Sequence, residues 1–108
     1  MILYLDTSSL VKLYVNEQGS ENVIASVSKA EAVATCRIAY AEARAAFARK
    51  RQNGELDEEE YQVVLRDFRN DWERFFIIEV SQEVAKVAGE LAEKYYLRGY
   101  DAVHLASA

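Results

Sequence analysis

The chain has no proline, four glycines, and one each of cysteine, histidine and tryptophan in 108 residues. With so few breakers, long helices joined by short connections are expected. A single cysteine excludes an internal disulfide. Cys36 is therefore read as a small buried hydrophobe in a reducing, cytoplasmic setting. One histidine and one cysteine also leave no zinc-ligand pattern, and the sequence holds no glycine-rich phosphate loop. No apolar run approaches the ~20 residues that span a bilayer, so no membrane segment is expected. Ile2 to Leu5 is too short for a signal-peptide core and is stopped by Asp6. Positive charge is scarce, with 13 basic against 18 acidic residues and a net charge of −5. That excludes a simple nucleic-acid coat protein, which is basic overall. It does not exclude an enzyme that meets its substrate through a metal and a local basic patch.

Hydrophobic residues make up 51% of the chain and charged residues 29%, the profile of a globular domain with a real core. Ile2 to Leu5 is an unbroken apolar run, read as a strand buried on both faces. Thr7 to Ser9 offer cap chemistry, and helical spacing continues through Leu10, Leu13 and Tyr14 until Gly19. Ser20 is the expected cap of a second helix. A weak strand at Val33–Thr35 leads into a long helix from about Arg37 to Asn53, closed by Gly54. Asp57 and Glu60 form a capping-box pattern ahead of Tyr61, Val64, Leu65, Phe68, Trp72 and Phe75. Phe76 to Val80 is the third strand. Ser81 caps a fifth helix with an apolar stripe at Val84, Val87, Ala88, Leu91 and Tyr95, ended by Gly99. Asp101 opens the last helix. Strands alternating with helices predict an α/β fold with a parallel sheet covered by helices. The final Ala102–Ala108 segment is apolar and uncapped, as though cut inside an element.

Three carboxylates stand out by their neighbours. Asp6 ends the first strand, where open parallel sheets bind ligands, although it could equally cap the next helix. Glu42 sits among Ile38, Ala39, Ala45 and Ala46, so it is expected to be neutralised, paired with Arg49 or bound to a metal, unless that stripe is only half buried. Asp101 is either a helix cap or a third ligand. Gathered together, such groups suit Mg²⁺ or Mn²⁺, which favour oxygen donors and relieve carboxylate repulsion. Arg37, Arg44 and Arg51 recur every seven residues, and Arg49 and Lys50 add to that helix. They form either a phosphate-tracking patch or a solvated face. His104 is expected to be a packed or partly exposed structural residue, and Trp72, Phe75 and Phe76 are expected in the core.

The opening Ile2-Leu3-Tyr4-Leu5-Asp6-Thr7-Ser8-Ser9, the segment Ile38-Ala39-Tyr40-Ala41-Glu42 and the segment Leu97 to Ala108 together resemble PIN domains of the VapC toxin type. The resemblance implies a parallel sheet in the order 3-2-1-4-5, of which this chain would hold strands 3-2-1, in a single domain over 1–108 that is incomplete at its C-terminal side. It implies Asp6, Glu42 and Asp101 as catalytic metal ligands, Ser8 as a supporting hydroxyl, and Mg²⁺ or Mn²⁺ as cofactor. The implied activity is endonucleolytic RNA cleavage leaving a 5′-phosphate and a 3′-hydroxyl. The implied partners are RNA, met by Arg37, Arg44, Arg49 and Arg51, and a cognate antitoxin; self-association is expected as well. The alternative is a degenerate PIN module that binds a protein partner without turnover, because the family's fourth acidic residue lies beyond the strands found here.

Overall fold

The computed structural model describes residues 1–108 except for the side chain of Tyr100. β1 (Ile2–Tyr4), β2 (Ala32–Cys36) and β3 (Phe76–Ile78) make one parallel sheet in the order β1-β2-β3. Ile2 pairs with Ala32, and Ala34 pairs on its other side with Phe76. Parallel neighbours need crossovers, and helix pairs supply them. α1 (Thr7–Lys12) and α2 (Ser20–Lys29) link β1 to β2, while α3 (Ala39–Gln52) and α4 (Glu58–Trp72) link β2 to β3. α5 (Gln82–Tyr95) and α6 (Gly99–Ser107) follow β3 and pack mainly on each other. The expected α/β architecture and the 3-2-1 half of the sheet order are both present.

The core lies among α1, α3 and α4. Leu10, Phe47 and Phe68 are fully buried, and Tyr14, Tyr40 and Trp72 pack against Phe68 with ring centroids 5.4–5.6 Å apart. Along α3 the buried positions Ala39, Ala43 and Phe47 recur at four-residue spacing and form one inward stripe. This stripe fixes the rotation of α3 and so decides which side chains it turns outward. The predicted capping box closes the start of α4. Glu60 N donates to Asp57 Oδ1 at 2.8 Å, and Asp57 N donates to Glu60 Oε1 at 2.9 Å.

Several expectations give way. β1 is not buried on both faces, since it lies at the sheet edge and Ile2 is 59% exposed. Phe76 begins the opposite edge strand and is equally open, whereas Trp72 and Phe75 do join the core. α1 ends at Lys12, well before Gly19. Gly19 instead takes φ 93 and precedes α2 as its cap residue, a conformation a side chain would strain. Ser20 therefore does not cap; its hydroxyl turns inward, donating to Val15 O at 3.2 Å and accepting from Glu17 N at 3.0 Å. α5 ends on Tyr96, a non-glycine residue at φ 56, and Gly99 belongs to the next helix. The α5 stripe is only partly covered: α5 packs mainly on α6, and Val87 and Tyr95 remain exposed.

Candidate active site

The three singled-out carboxylates all stand at helix starts, where the helix dipole favours negative charge. Asp6 follows β1 and caps α1, its Oδ1 accepting from Ser9 N at 2.9 Å. Glu42 lies in the first turn of α3, just beyond the carboxyl end of β2. Asp101 lies in the first turn of α6; the cap position there is Arg98, so Asp101 is not the cap. Two adjoining clefts connect them. The larger, about 740 Å³, has Thr7, Ser8, Glu42, Arg49, Arg98 and Asp101 on its walls. The smaller, about 460 Å³, has Tyr4, Asp6, Asp101 and His104 on its walls. Asp101 stands on the boundary between Glu42 and Asp6.

Glu42 is not paired with Arg49. Its Oε1 accepts from the Thr7 hydroxyl at 2.6 Å and lies 2.9 Å from His104 Nε2. The same imidazole nitrogen is 3.0 Å from Thr7 Oγ1, and His104 Nδ1 is 2.9 Å from the Tyr4 hydroxyl. α1, α3 and α6 therefore meet at one carboxylate, and β1 joins through the Tyr4–His104 bond. Burial pushes the Tyr4 phenol up to about 12, so at neutral pH Tyr4 keeps its proton. A neutral imidazole accepting from Tyr4 at Nδ1 carries its own proton on Nε2, facing Glu42. His104 is 7% exposed, the packed histidine expected from the sequence, but every ring nitrogen is engaged.

The PIN-domain family model matches residues 3–108. A 41% identical relative, "Ribonuclease VapC45" of Mycobacterium tuberculosis, aligns with 99% of this chain and 74% of its own length. This chain belongs to the PIN-domain family. A second relative, "Ribonuclease VapC3" of Pyrobaculum aerophilum, is 34% identical over 100% of this chain and 82% of its own length. Among solved structures, a toxin-antitoxin complex from Klebsiella pneumoniae superposes with TM-score 0.69 at 23% identity, over 98% of this chain and 77% of that one. VapBC2 from Rickettsia felis, bound to a DNA fragment from its promoter, gives TM-score 0.65 at 23% identity, over 100% of this chain and 80% of that one. At that identity these two establish the PIN fold alone.

The donor set of this PIN domain suits a hard divalent cation: carboxylates from Asp6, Glu42 and Asp101 with hydroxyls from Thr7 and Ser8, all oxygen. Among the described residues, no three His, Cys, Asp or Glu side chains are gathered closely enough to hold a metal as they stand. Asp6 is turned to its cap bond, and Glu42 to Thr7 and His104. Ser8 lines the larger cleft and accepts from Lys12 Nζ at 3.1 Å.

The four arginines named from the sequence separate. Only Arg49 reaches the larger cleft, because Glu42, Ala45, Ala46, Arg49 and Asn53 share one face of α3. Arg37 pairs with Glu79, and its guanidinium holds that carboxyl below the usual range. Arg44 lies over Tyr40, and Arg51 lies over Tyr61 while pairing with Glu58. The sequence reading missed Arg98, which sits in the short α5–α6 connection and faces the same cleft as Arg49. It also missed Thr7. The signal for Thr7 was there, since a hydroxyl directly after a strand-end Asp is well placed to meet a carboxylate from the next crossover. Lys50 lines the cleft but is paired with Glu17 at 2.9 Å.

Proposed function

We propose that this chain is a VapC-type endoribonuclease toxin that depends on Mg²⁺ or Mn²⁺ held by Asp6, Glu42 and Asp101. The observation that carries the reading is the larger cleft: Glu42 and Asp101 share its walls with Arg49 and Arg98, two guanidinium groups unpaired with carboxylates among the described residues. Carboxylates beside free cations suit a phosphodiester, which needs its charge met on one side and its reacting phosphorus on the other. The names of the two curated relatives, both ribonucleases, support RNA as substrate. Bound there, the divalent ion supplies charge neutralisation at the phosphate and an activated water. The chain's own residues do the rest. Arg49 and Arg98 hold flanking phosphates, and the Ser8 hydroxyl, on the cleft wall, contributes a hydrogen bond. Asp6, Glu42 and Asp101 would hold that cation beside the reacting phosphate. Arg37, Arg44 and Arg51 stand outside this cleft and would at most meet RNA further along the strand.

The expected partner is a cognate antitoxin, supported by the toxin-antitoxin structures that share the fold. Exposed apolar side chains at Val87, Tyr95 and Leu105 and the open edge of β1 support a protein partner and self-association. No helix among the described residues is long and apolar enough to cross a membrane, and the free buried thiol of Cys36 suits the cytoplasm.

One observation favours a second reading, a PIN module that binds its partner without catalysis: the three carboxylates do not form a ready-made metal cluster. Cleavage of a defined RNA in Mg²⁺ or Mn²⁺ separates the two. The nuclease reading expects cleavage that chelator abolishes and that Asp6→Asn, Glu42→Gln and Asp101→Asn each reduce severely. Cleavage that survives chelator, or that is equal in wild type and all three variants, contradicts it. A well-folded chain that cleaves nothing but captures an antitoxin establishes the second reading.

A further inference from the structure

The side chain that stands out beyond the three acids is His104. It is buried, although it comes from α6, which packs on α5 and β2 outside the main core cluster, and it reaches residues of three other elements. A histidine needed only for packing could satisfy itself with backbone or with one neighbour. Here Nε2 is directed at the same oxygen, Glu42 Oε1, that the Thr7 hydroxyl already donates to, while Tyr4 fixes the opposite nitrogen. The arrangement constrains one carboxylate oxygen from two sides and fixes the ring that does so.

We propose that His104 and Thr7 are positioning residues for Glu42: they hold Oε1 so that the rest of the carboxylate is presented to the cleft as a cation ligand. The inference rests on the metal-dependent reading above. Outer partners of a ligating carboxylate restrict its rotamers before the cation arrives, so binding does not bear the ordering cost. In the absence of these donors Glu42, in the first turn of α3 and about one quarter exposed, is free to sample other rotamers. Tyr4 contributes indirectly, by holding the His104 ring in the orientation that directs Nε2 at Glu42.

The test is Mn²⁺ affinity, measured by calorimetry and by the electron paramagnetic resonance signal of free Mn²⁺, with thermal melts run on every variant. His104→Leu is expected to weaken Mn²⁺ binding roughly 10–100-fold. His104→Gln, whose amide can still donate near the Nε2 position, is expected to recover most of that loss. Thr7→Val, nearly isosteric, is expected to weaken binding too, and provides the result if His104→Leu does not fold. In a Glu42→Gln background, His104→Leu should add little, because the carboxylate it positions is gone. Wild-type Mn²⁺ affinity in folded His104→Leu and Thr7→Val, or an equal loss in His104→Gln and His104→Leu, would overturn the proposal while leaving the nuclease reading intact. A wild-type chain that binds no Mn²⁺ would overturn both.

Discussion

Replacing Phe68 by alanine removes the ring at the centre of the core, and its cost can be worked from its surroundings. Phe68 is fully buried and has the rings of Tyr14, Tyr40, Phe47 and Trp72 around it at 5.4–5.6 Å. Truncation forfeits the transfer free energy of the ring and leaves a cavity that four aromatic neighbours, held on α3, α4 and the turn after α1, cannot readily fill. The loss is about 3–5 kcal/mol. A domain of this size is stable by only about 5–15 kcal/mol, so about a fifth or more of the total is at stake. At about 4–8 °C per kcal/mol, the melting temperature should fall by at least about 12 °C. Phe68→Leu keeps most of the volume and should cost less than half as much. Urea titration followed by far-UV circular dichroism is the assay, with unchanged slope confirming that the unfolded state is unaltered. A loss below about 1 kcal/mol for Phe68→Ala would refute this packing. It would also undermine the site, since Phe68 is part of what holds α4 against α3, the helix that carries Glu42.

Arg49→Glu and Arg98→Glu should each weaken RNA binding and lower the salt slope by about one unit for the phosphate no longer neutralised, whereas Arg44→Glu should do clearly less; equal effects at all three would move the RNA path off the larger cleft. Tyr14 donates to Asp71 at 2.8 Å, and burial followed by that bond raises its phenol well above the ordinary value of 10.0. Its proton is held more tightly in the folded state, so this stabilisation is complete below about pH 10 and lost as pH rises beyond it. Tyr14→Phe should therefore be less stable than wild type by about 1 kcal/mol at pH 7, with the gap narrowing above pH 10, and a gap that widens in alkali would contradict the assignment.

Much of this was written in the residue pattern. The apolar spacing through Tyr61, Val64, Leu65 and Phe68 gave α4 its length and its inner face, and Asp57 with Glu60 marked its start. These signals are local, so a sequence carries them directly. The ends of α1 and α5 were not readable in the same way. Tyr96 adopts a left-handed conformation that its side chain disfavours, and Ser20 abandons the cap role for an inward bond to Val15. At Ser20 an inward contact outweighed cap propensity, whereas Tyr96, 94% exposed, ends α5 in the left-handed cap conformation with its N–H donating to Ala92 O. The acids Asp6, Glu42 and Asp101 could be singled out because charge is conspicuous beside apolar neighbours. Their relation to Thr7 and His104 could not, because those bonds join residues 35 and 62 positions apart from Glu42. Likewise Arg49 faces the cleft, and Arg44 and Arg51 do not, through the rotation of α3 about its buried Ala39, Ala43 and Phe47 stripe. A seven-residue spacing identifies a shared face but not what that face meets.

The central claim is that the three carboxylates serve one divalent cation at the junction of the two clefts. Anomalous diffraction from crystals equilibrated with Mn²⁺ tests it most directly. The account predicts a single strong peak between Glu42 and Asp101, within coordination distance of both, with Asp6 bound directly or through one water. Peaks confined to the exposed acidic start of α4 at Glu58–Glu60, with none between Glu42 and Asp101 at saturating Mn²⁺, would contradict it.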